Sequence, residues 1–460
     1  MISPITLNQP IIAQCTPSGS GAIALLRLSG ENALDVANLI SALPHHKKLS
    51  AQPTHTIHYG HVIDADAQQI DQVLFLVMRA PHTFTGEDTV EITCHNNPFI
   101  IQNILHAAIA AGARLAQEGE FSRRAVLNNK IDMVQAEAIN DLIHANTQLA
   151  LKQSLSQLEG SFTQWINAIE KQLIKALALS EASFEFLDEE NMEFNLQIKE
   201  IIEHILHKSA ALKITFNQQQ QIRNGIRIAL IGSVNAGKSS LFNALLNQER
   251  AIVTNIAGTT RDVIEAGLYK NGNYWTLIDT AGLRTTNDII EQMGIERSRE
   301  QAHKADLILL VFDGSHKLSE AENTVYQELL NAYGDKIIII NNKADLPQER
   351  NPLILTKKTY STSIHNKNSI FQVESAIQEK ITTLFTAIGS PFLLNQRHFN
   401  ALISLETQLA TILTMLNETP RYELISYHLN DTLATLSELT GKSISEAGMD
   451  AVFREFCVGK

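Results

Sequence analysis

The chain has 460 residues, 44% of them hydrophobic and 19% charged, with a formal net charge of -12 and a pI near 5.7. That length and balance indicate a soluble globular chain of two or three domains. They also exclude a broadly basic nucleic-acid-binding surface, though not a local basic patch. Cys15, Cys94 and Cys457 are odd in number, far apart and without CxxC spacing, which argues against a disulfide framework and a cysteine zinc site.

The N-terminal "MISPITLNQPIIAQ" has neither a basic leader nor a long apolar core, and runs such as "LILLV" and "IIII" are too short to span a bilayer, so a cytoplasmic protein with no membrane segment is expected. Residues 1–118 mix strand-like runs ("AIALLRLSG", "QVLFLVMRA", "TVEITCH") with turns and one helix-like stretch, the pattern of a small α+β domain. From 119 to 221 the pattern turns helical. Ile166, Ile169, Leu173 and Leu177 recur at helical spacing, as do Ile198, Ile201, Ile202, Ile205 and Leu206, and the polar "NQQQQ" closes the region as a linker.

Residues 222–385 alternate strand-like runs ("IRIALIG", "YWTLIDT", "LILLVFD", "KIIIINN") with helices, which predicts a mostly parallel sheet covered on both faces. "NGN" at 271–273 marks a hairpin within it. Residues 386–460 return to helical spacing through Leu402, Leu405, Leu409, Ile412 and Leu416, then Leu429, Leu433 and Leu436. The fold expected is a multidomain α/β chain: an α+β N-terminal domain, an α-helical bundle in two parts, and an inserted Ras-like P-loop domain.

"GSVNAGKSS" (232–240) follows a predicted strand and opens a predicted helix, the required context for GxxxxGK[ST]. Its glycines let the N–H groups of Asn235, Ala236 and Gly237 turn toward phosphate oxygens. Lys238 reaches the β and γ phosphates, Ser239 supplies a magnesium ligand, and Ser240 continues the helix N-terminus that favours an anion. "DTAG" (279–282) ends a later strand. Asp279 is placed to hold magnesium through water, and Thr280, Ala281 and Gly282 to sense the γ phosphate.

"NKAD" (342–345) closes another strand. The Asp345 carboxylate can accept from N1–H and the exocyclic amine of guanine, whereas adenine would leave it unpaired, so Asn342, Lys343, Ala344 and Asp345 point to GTP over ATP. Ser363 in "STS" falls where a further base-contacting loop belongs. The Thr-rich loop Thr254, Asn255, Ile256, Ala257, Gly258, Thr259 and Thr260 lies between the first two motifs, with Thr260 a second magnesium ligand.

On "NAGKSS", "IAGTTRD", "DTAGLR", "TFTGEDTVEI", "KIDMVQAEAINDLI" and the terminal "CVGK", the chain resembles, over essentially its whole length, the MnmE/TrmE family of tRNA-modification GTPases. The resemblance implies a potassium site at the Asn235 side chain and the carbonyls of Thr254, Ile256 and Thr259, supplying charge that Arg261 or Arg284 would otherwise provide. It implies Glu291 as the residue orienting the attacking water.

It implies a 5-formyl- or methylene-tetrahydrofolate site at Arg27, Glu91, Lys130 and Lys460, with Cys457 as a catalytic group or, equally, a packing residue. It further implies a homodimer built through the N-terminal domain and a heterotetramer with the FAD-containing MnmG (GidA-like) partner. The activity implied is addition of an aminomethyl or carboxymethylaminomethyl group to C5 of the wobble uridine of tRNA.

The chain departs from the family pattern at Ser18–Ala22, at "HNNP" (95–98) for "HGG", at Glu118 for proline, at "FLDEE" (186–190) for "FPDEE", and at Ser363-Ile364 for "SA". A ribosome-assembly or signalling GTPase without modification chemistry is the other reading of the nucleotide motifs alone.

Overall fold

The computed structural model describes residues 9–183, 189–214, 216, 223, 225–246, 264–279, 299–349, 358–386, 391–418, 421–454 and 456–459. They form two compact units, Met1–Asn140 with Gln157–Leu206 and Asn400–Lys460, and Asp141–Ser156 with His207–Phe399.

In the first unit a seven-stranded sheet comprises β1 (Ile11–Gln14), β2 (Ile23–Ser29), β3 (Ser41–Ala42), β4 (Thr56–Ile63), β5 (Gln69–Met78), β6 (Thr89–His95) and β7 (Arg114–Leu115), in the order β3-β4-β5-β6-β2-β1-β7. Only β1 and β7 pair in parallel. Period-two alternation sends Leu26, Leu28, Phe75, Val77, Val90 and Ile92 into a core shared with the helices Ala33–Leu39 and Pro98–Ala110. The same alternation leaves Ile23, Ile57, Tyr59 and Leu74 on the opposite face, each between 42% and 64% exposed.

The helices of this unit bury stripes at the predicted spacing. Ser161–Ala182 buries Phe162, Ile166, Ile169 and Leu173, and Tyr422–Thr440 buries Ile425, Leu429 and Leu436, whereas Leu177, Ile201, Leu206 and Leu433 of the predicted positions are only half-buried. Ser180 and Ser426, 2.9 Å apart, join the two helices. Gln396–Asn417 is long and apolar enough to cross a membrane by length and composition. Its Leu402, Leu405, Leu409, Ile412 and Leu416 are instead buried along one stripe, as in a core helix. A separate small core of Met133, Ala136, Met449, Phe453 and Phe456 seats the helix Glu446–Phe453 and the start of the tail.

The second unit holds a six-stranded sheet: β8 (Ile226–Ile231), β9 (Ile264–Lys270), β10 (Asn273–Asp279), β11 (Leu307–Asp313), β12 (Ile337–Asn342) and β13 (Thr359–Ser361), ordered β13-β12-β11-β8-β10-β9. All pairs are parallel except the β9–β10 hairpin. Both faces are covered, as parallel sheets require. Leu230, Leu309 and Ile340 pack with the helices Lys238–Leu246 and Lys367–Thr386. Ile231, Leu310 and Ile339 pack on the other face with Tyr326 and Leu329 of the helix Glu320–Tyr333.

The hairpin turns at Asn271 and Gly272, both at positive φ, the conformation that Asn-Gly favours in a two-residue turn. Its tip is gripped by the stretch just before the helix Gln148–Leu158. The Tyr274 N–H donates to the Asn146 carbonyl and the Gln148 N–H to the Gly272 carbonyl, each at 2.9 Å, while Thr147 pairs with Asn273.

Trp275, fully buried in β10, is the largest side chain of this core. Trp275→Ala is expected to cost about 3–5 kcal/mol, read as an earlier urea transition of the full chain by circular dichroism. An unchanged midpoint would contradict the packing described.

Candidate nucleotide and tail sites

The first cluster sits at the C-terminal ends of β8, β10, β11 and β12, where ligands bind in open parallel sheets. Gly232 follows β8 so closely against β11 that a Cβ there would lie 1.9 Å from the Val311 carbonyl oxygen. Gly237, at φ 88, would put a Cβ 2.1 Å from the Asn342 amide. These two contacts explain why the loop between β8 and the helix Lys238–Leu246 has glycine at both ends. Asn235 lies exposed on the loop at positive φ, Ala236 is buried, and Ser239 and Ser240 are exposed in the first helical turn.

Lys238 is 6% exposed, and its Nζ donates to the carbonyls of Gly232 (2.8 Å) and Ser233 (2.7 Å). Burial pushes its pKa down, and the Asp279 carboxylate acts against that push. Asp279 is itself buried at the end of β10, in register with Leu230 of β8. A desolvated cation with oxygen-only partners, at the N-terminus of a helix, is a strong attractor for a phosphate.

The segment after β12 is stitched to this loop. Asn342 donates from Nδ2 to the Ala236 carbonyl at 2.9 Å and accepts from the Thr362 hydroxyl at 3.1 Å. The Ala344 N–H donates to the Thr362 carbonyl at 2.9 Å. Lys343, at positive φ, pairs with Asp313. Asp345 is exposed, and a hydrogen bond from the buried Ser363 is the main cause holding its carboxyl below the usual range. An ionised, outward-facing carboxylate with a fixed hydroxyl neighbour is suited to accept from a donor pair on a ligand edge.

The second cluster lies in the first unit. Arg27 and Glu91 face each other across β2 and β6, with Nε to Oε1 at 2.9 Å, and the guanidinium lies 5.6 Å from the ring centroids of both Phe84 and Phe121. Lys130 donates from Nζ to the Pro81 carbonyl at 2.7 Å. The tail docks beside this group. Val458 pairs with Glu118, and the Gly119 N–H points to the Cys457 carbonyl at 3.4 Å.

Cys15 donates from Sγ to the Gly459 carbonyl at 3.1 Å. Gly459, at φ 96, comes so near β1 that a Cβ would lie 2.5 Å from the Gln14 carbonyl oxygen. Gln14 is next to Ala13, the β1 partner of Arg27, and Gly119 is two residues from Phe121, so the residues that meet the tail adjoin along the chain those that meet the ion pair. Cys457 is exposed.

Thr254, Asn255, Ile256, Ala257, Gly258, Thr259, Thr260, Thr280, Ala281, Gly282, Glu291 and Lys460 lie outside the described residues. Several departures from the family pattern have visible structural partners. In "HNNP", the Asn96 side chain donates to the Gly19 carbonyl at 2.9 Å, and Asn97 caps the helix Pro98–Ala110 through the Phe99 N–H. Glu118 meets the tail through its backbone. Sequence reasoning missed Thr362, Phe84, Phe121 and Tyr326, since a partner from a distant strand or helix leaves no local signature.

Burial works to raise the Asp313 carboxyl, but hydrogen bonds from Lys343 and Ser315 outweigh it and hold it at about 2 instead of 3.8. A depressed carboxylate stabilises the fold above its unfolded pKa and loses that contribution as pH falls through the folded one. Asp313→Asn should therefore flatten the loss of melting temperature between pH 3.8 and about 2. An acid limb as steep as the parent's would contradict the pairing.

Two family models match the chain: the N-terminus of the GTP-binding protein TrmE over residues 10–130, and the MnmE helical domain over residues 133–457. The tRNA modification GTPase MnmE of Bacillus cytotoxicus is 37% identical over 98% of this chain and 99% of its own length. That of Geobacillus thermodenitrificans is 39% identical over the same shares. With matches of that extent on both sides of the nucleotide cluster and across it, the chain belongs to the MnmE family of tRNA modification GTPases.

Proposed function

We propose that this protein hydrolyses GTP and uses that cycle in modifying tRNA. The observation carrying the proposal is one chain holding a phosphate cradle around Lys238 and, in its other unit, a C-terminal tail seated beside Arg27 and Glu91. The cradle binds the β and γ phosphates through Lys238 and the backbone of Asn235, Ala236 and Gly237, with Ser239 and Ser240 at the helix N-terminus. Asn342, Lys343, Ala344 and Asp345, with Ser363, read guanine.

Ser239, the Asp279 carboxylate and Thr260 offer the hard oxygen donors that magnesium takes, and the Asn235 amide with the carbonyls of Thr254, Ile256 and Thr259 offers those that potassium takes. Both cations, when bound, offset charge on the phosphate oxygens. Thr280, Ala281 and Gly282 sense the γ phosphate, and Glu291 orients the attacking water.

Arg27, Glu91, Lys130 and Lys460 form the folate site. The carboxylate and cations complement a pterin edge and an anionic glutamate tail. The one-carbon unit carried by that folate would reach C5 of the wobble uridine together with the FAD-containing MnmG partner, in the cytoplasm. Cys457 stands next to this site as a reactive or a packing group. The exposed apolar face of Ile23, Ile57, Tyr59 and Leu74 supports homodimerisation through the N-terminal sheet. The β9–β10 hairpin, clamped at its tip by Asn146–Gln148, supports coupling of the nucleotide loops at its base to the helical segments.

Two experiments test the two halves. In Asp345→Asn, the GTP affinity should fall by at least roughly thirtyfold, because a charged acceptor of two hydrogen bonds is lost, and the preference over ATP should shrink with it. Equal use of GTP and ATP by the parent would remove the guanine assignment. In Gly459→Val, binding of 5-formyl-tetrahydrofolate should be lost while GTP turnover persists, and unchanged folate affinity would separate the tail from the one-carbon site.

A further inference from the structure

The helix Glu320–Tyr333 is not part of any nucleotide motif, yet it is hydrogen-bonded to the phosphate cradle at Ser233. The Ser233 N–H donates to the Tyr326 hydroxyl at 2.7 Å, and Tyr326 is only 4% exposed. On the other side of the same residue, the Ser233 carbonyl accepts from Lys238 Nζ, also at 2.7 Å. The Ser233 hydroxyl also reaches the Glu322 carboxylate. Burial works to raise the Glu322 carboxyl, and hydrogen bonds from Ser319 and Ser233 outweigh it and hold it below its usual range.

Glu322 is itself fixed, because it closes a capping box with Ser319 at the start of the helix. Tyr326 is fixed by packing with Ile231, Leu310 and Leu329 under the sheet. Ser233 is thus held at its N–H by one rigid helix, and the carbonyls of Gly232 and Ser233 are both bonded to the lysine of the cradle.

We propose that Tyr326, assisted by Glu322, is a positioning residue for nucleotide binding: it sets the Gly232–Ser233 peptide, and through the Gly232 carbonyl the place of the Lys238 ammonium. The path is short and directional. A phenol held in the core fixes the Ser233 N–H, the peptide plane that this N–H shares with the Gly232 carbonyl carries the orientation across, and that carbonyl accepts from the buried Lys238 ammonium at 2.8 Å. A buried N–H left without an acceptor costs more than an exposed one, so the loop would relax to find another partner and take the lysine with it. The inference rests on the reading of Lys238 as the phosphate-binding lysine.

The test is a double-mutant cycle on the full chain, with GDP as the probe and calorimetry as the readout. Tyr326→Phe keeps the ring and its packing and removes only the hydroxyl. It should weaken GDP binding roughly three- to tenfold, the range of one net hydrogen bond, and raise KM for GTP by a larger factor than it lowers kcat. In a Lys238→Ala background the same substitution should cost nothing further, because the group it positions is gone. Glu322→Gln, which keeps a side chain able to accept at Ser319, should give a smaller loss of the same kind. Tyr333→Phe, on the same helix but remote from Ser233, is the control.

Equal losses of GDP affinity with and without Lys238 would overturn the proposal in favour of general destabilisation. An unchanged affinity in Tyr326→Phe would overturn it as well. Failure of the Lys238 reading is distinguishable, since Lys238→Ala alone would then bind GDP like the parent.

Discussion

Everything in the second unit is arranged around one buried cation. Lys238 has given up most of its hydration and is compensated by two carbonyls of its own loop, with Asp279 nearby. A desolvated ammonium is unfavourable unless oxygen surrounds it. The loop must therefore curl tightly around it, and that curl is possible only because Gly232 lies against β11 and Gly237 against Asn342, where no side chain fits. The parallel order of β8, β10, β11 and β12 brings their C-terminal ends, and so Asp279, Asp313 and Asn342, to the same edge. The fold and the phosphate cradle are thus one constraint seen at two scales.

The first unit solves a different problem, that of ordering a chain end. A terminal segment frays unless its backbone is tied down. Here the ties are the pairing of Val458 with Glu118, the thiol of Cys15 on the Gly459 carbonyl, and a glycine that lies against Gln14 where a side chain would collide. The residues that hold the tail are neighbours of those that hold Arg27 and Glu91 in place.

How much of this was legible in the sequence follows from how local each feature is. The cradle, the strand-end carboxylates and the Asn-Gly hairpin are written in consecutive residues, and apolar runs and period-3.6 spacing marked the strands and the helix stripes. The contacts that brace them are not local. Asn342 on Ala236, Thr362 on Asn342, and Tyr326 on Ser233 join residues 20 to 106 positions apart. Asn146–Gln148 falls inside the region read as helical, and nothing in its composition says that it grips a hairpin tip. "HNNP" read as a departure from a glycine pattern, whereas its two asparagines have become a loop tie and a helix cap. The tail was legible only through its resemblance to a family, because Cys-Val-Gly-Lys has no periodicity to read.

The most direct test of the account is mass spectrometry of wobble nucleosides in tRNA from cells lacking this gene, complemented with the parent chain or with Lys238→Ala. The account predicts that the parent restores the C5-modified uridine and that Lys238→Ala does not. Full restoration by Lys238→Ala, or no change in wobble uridine when the gene is removed, would contradict it.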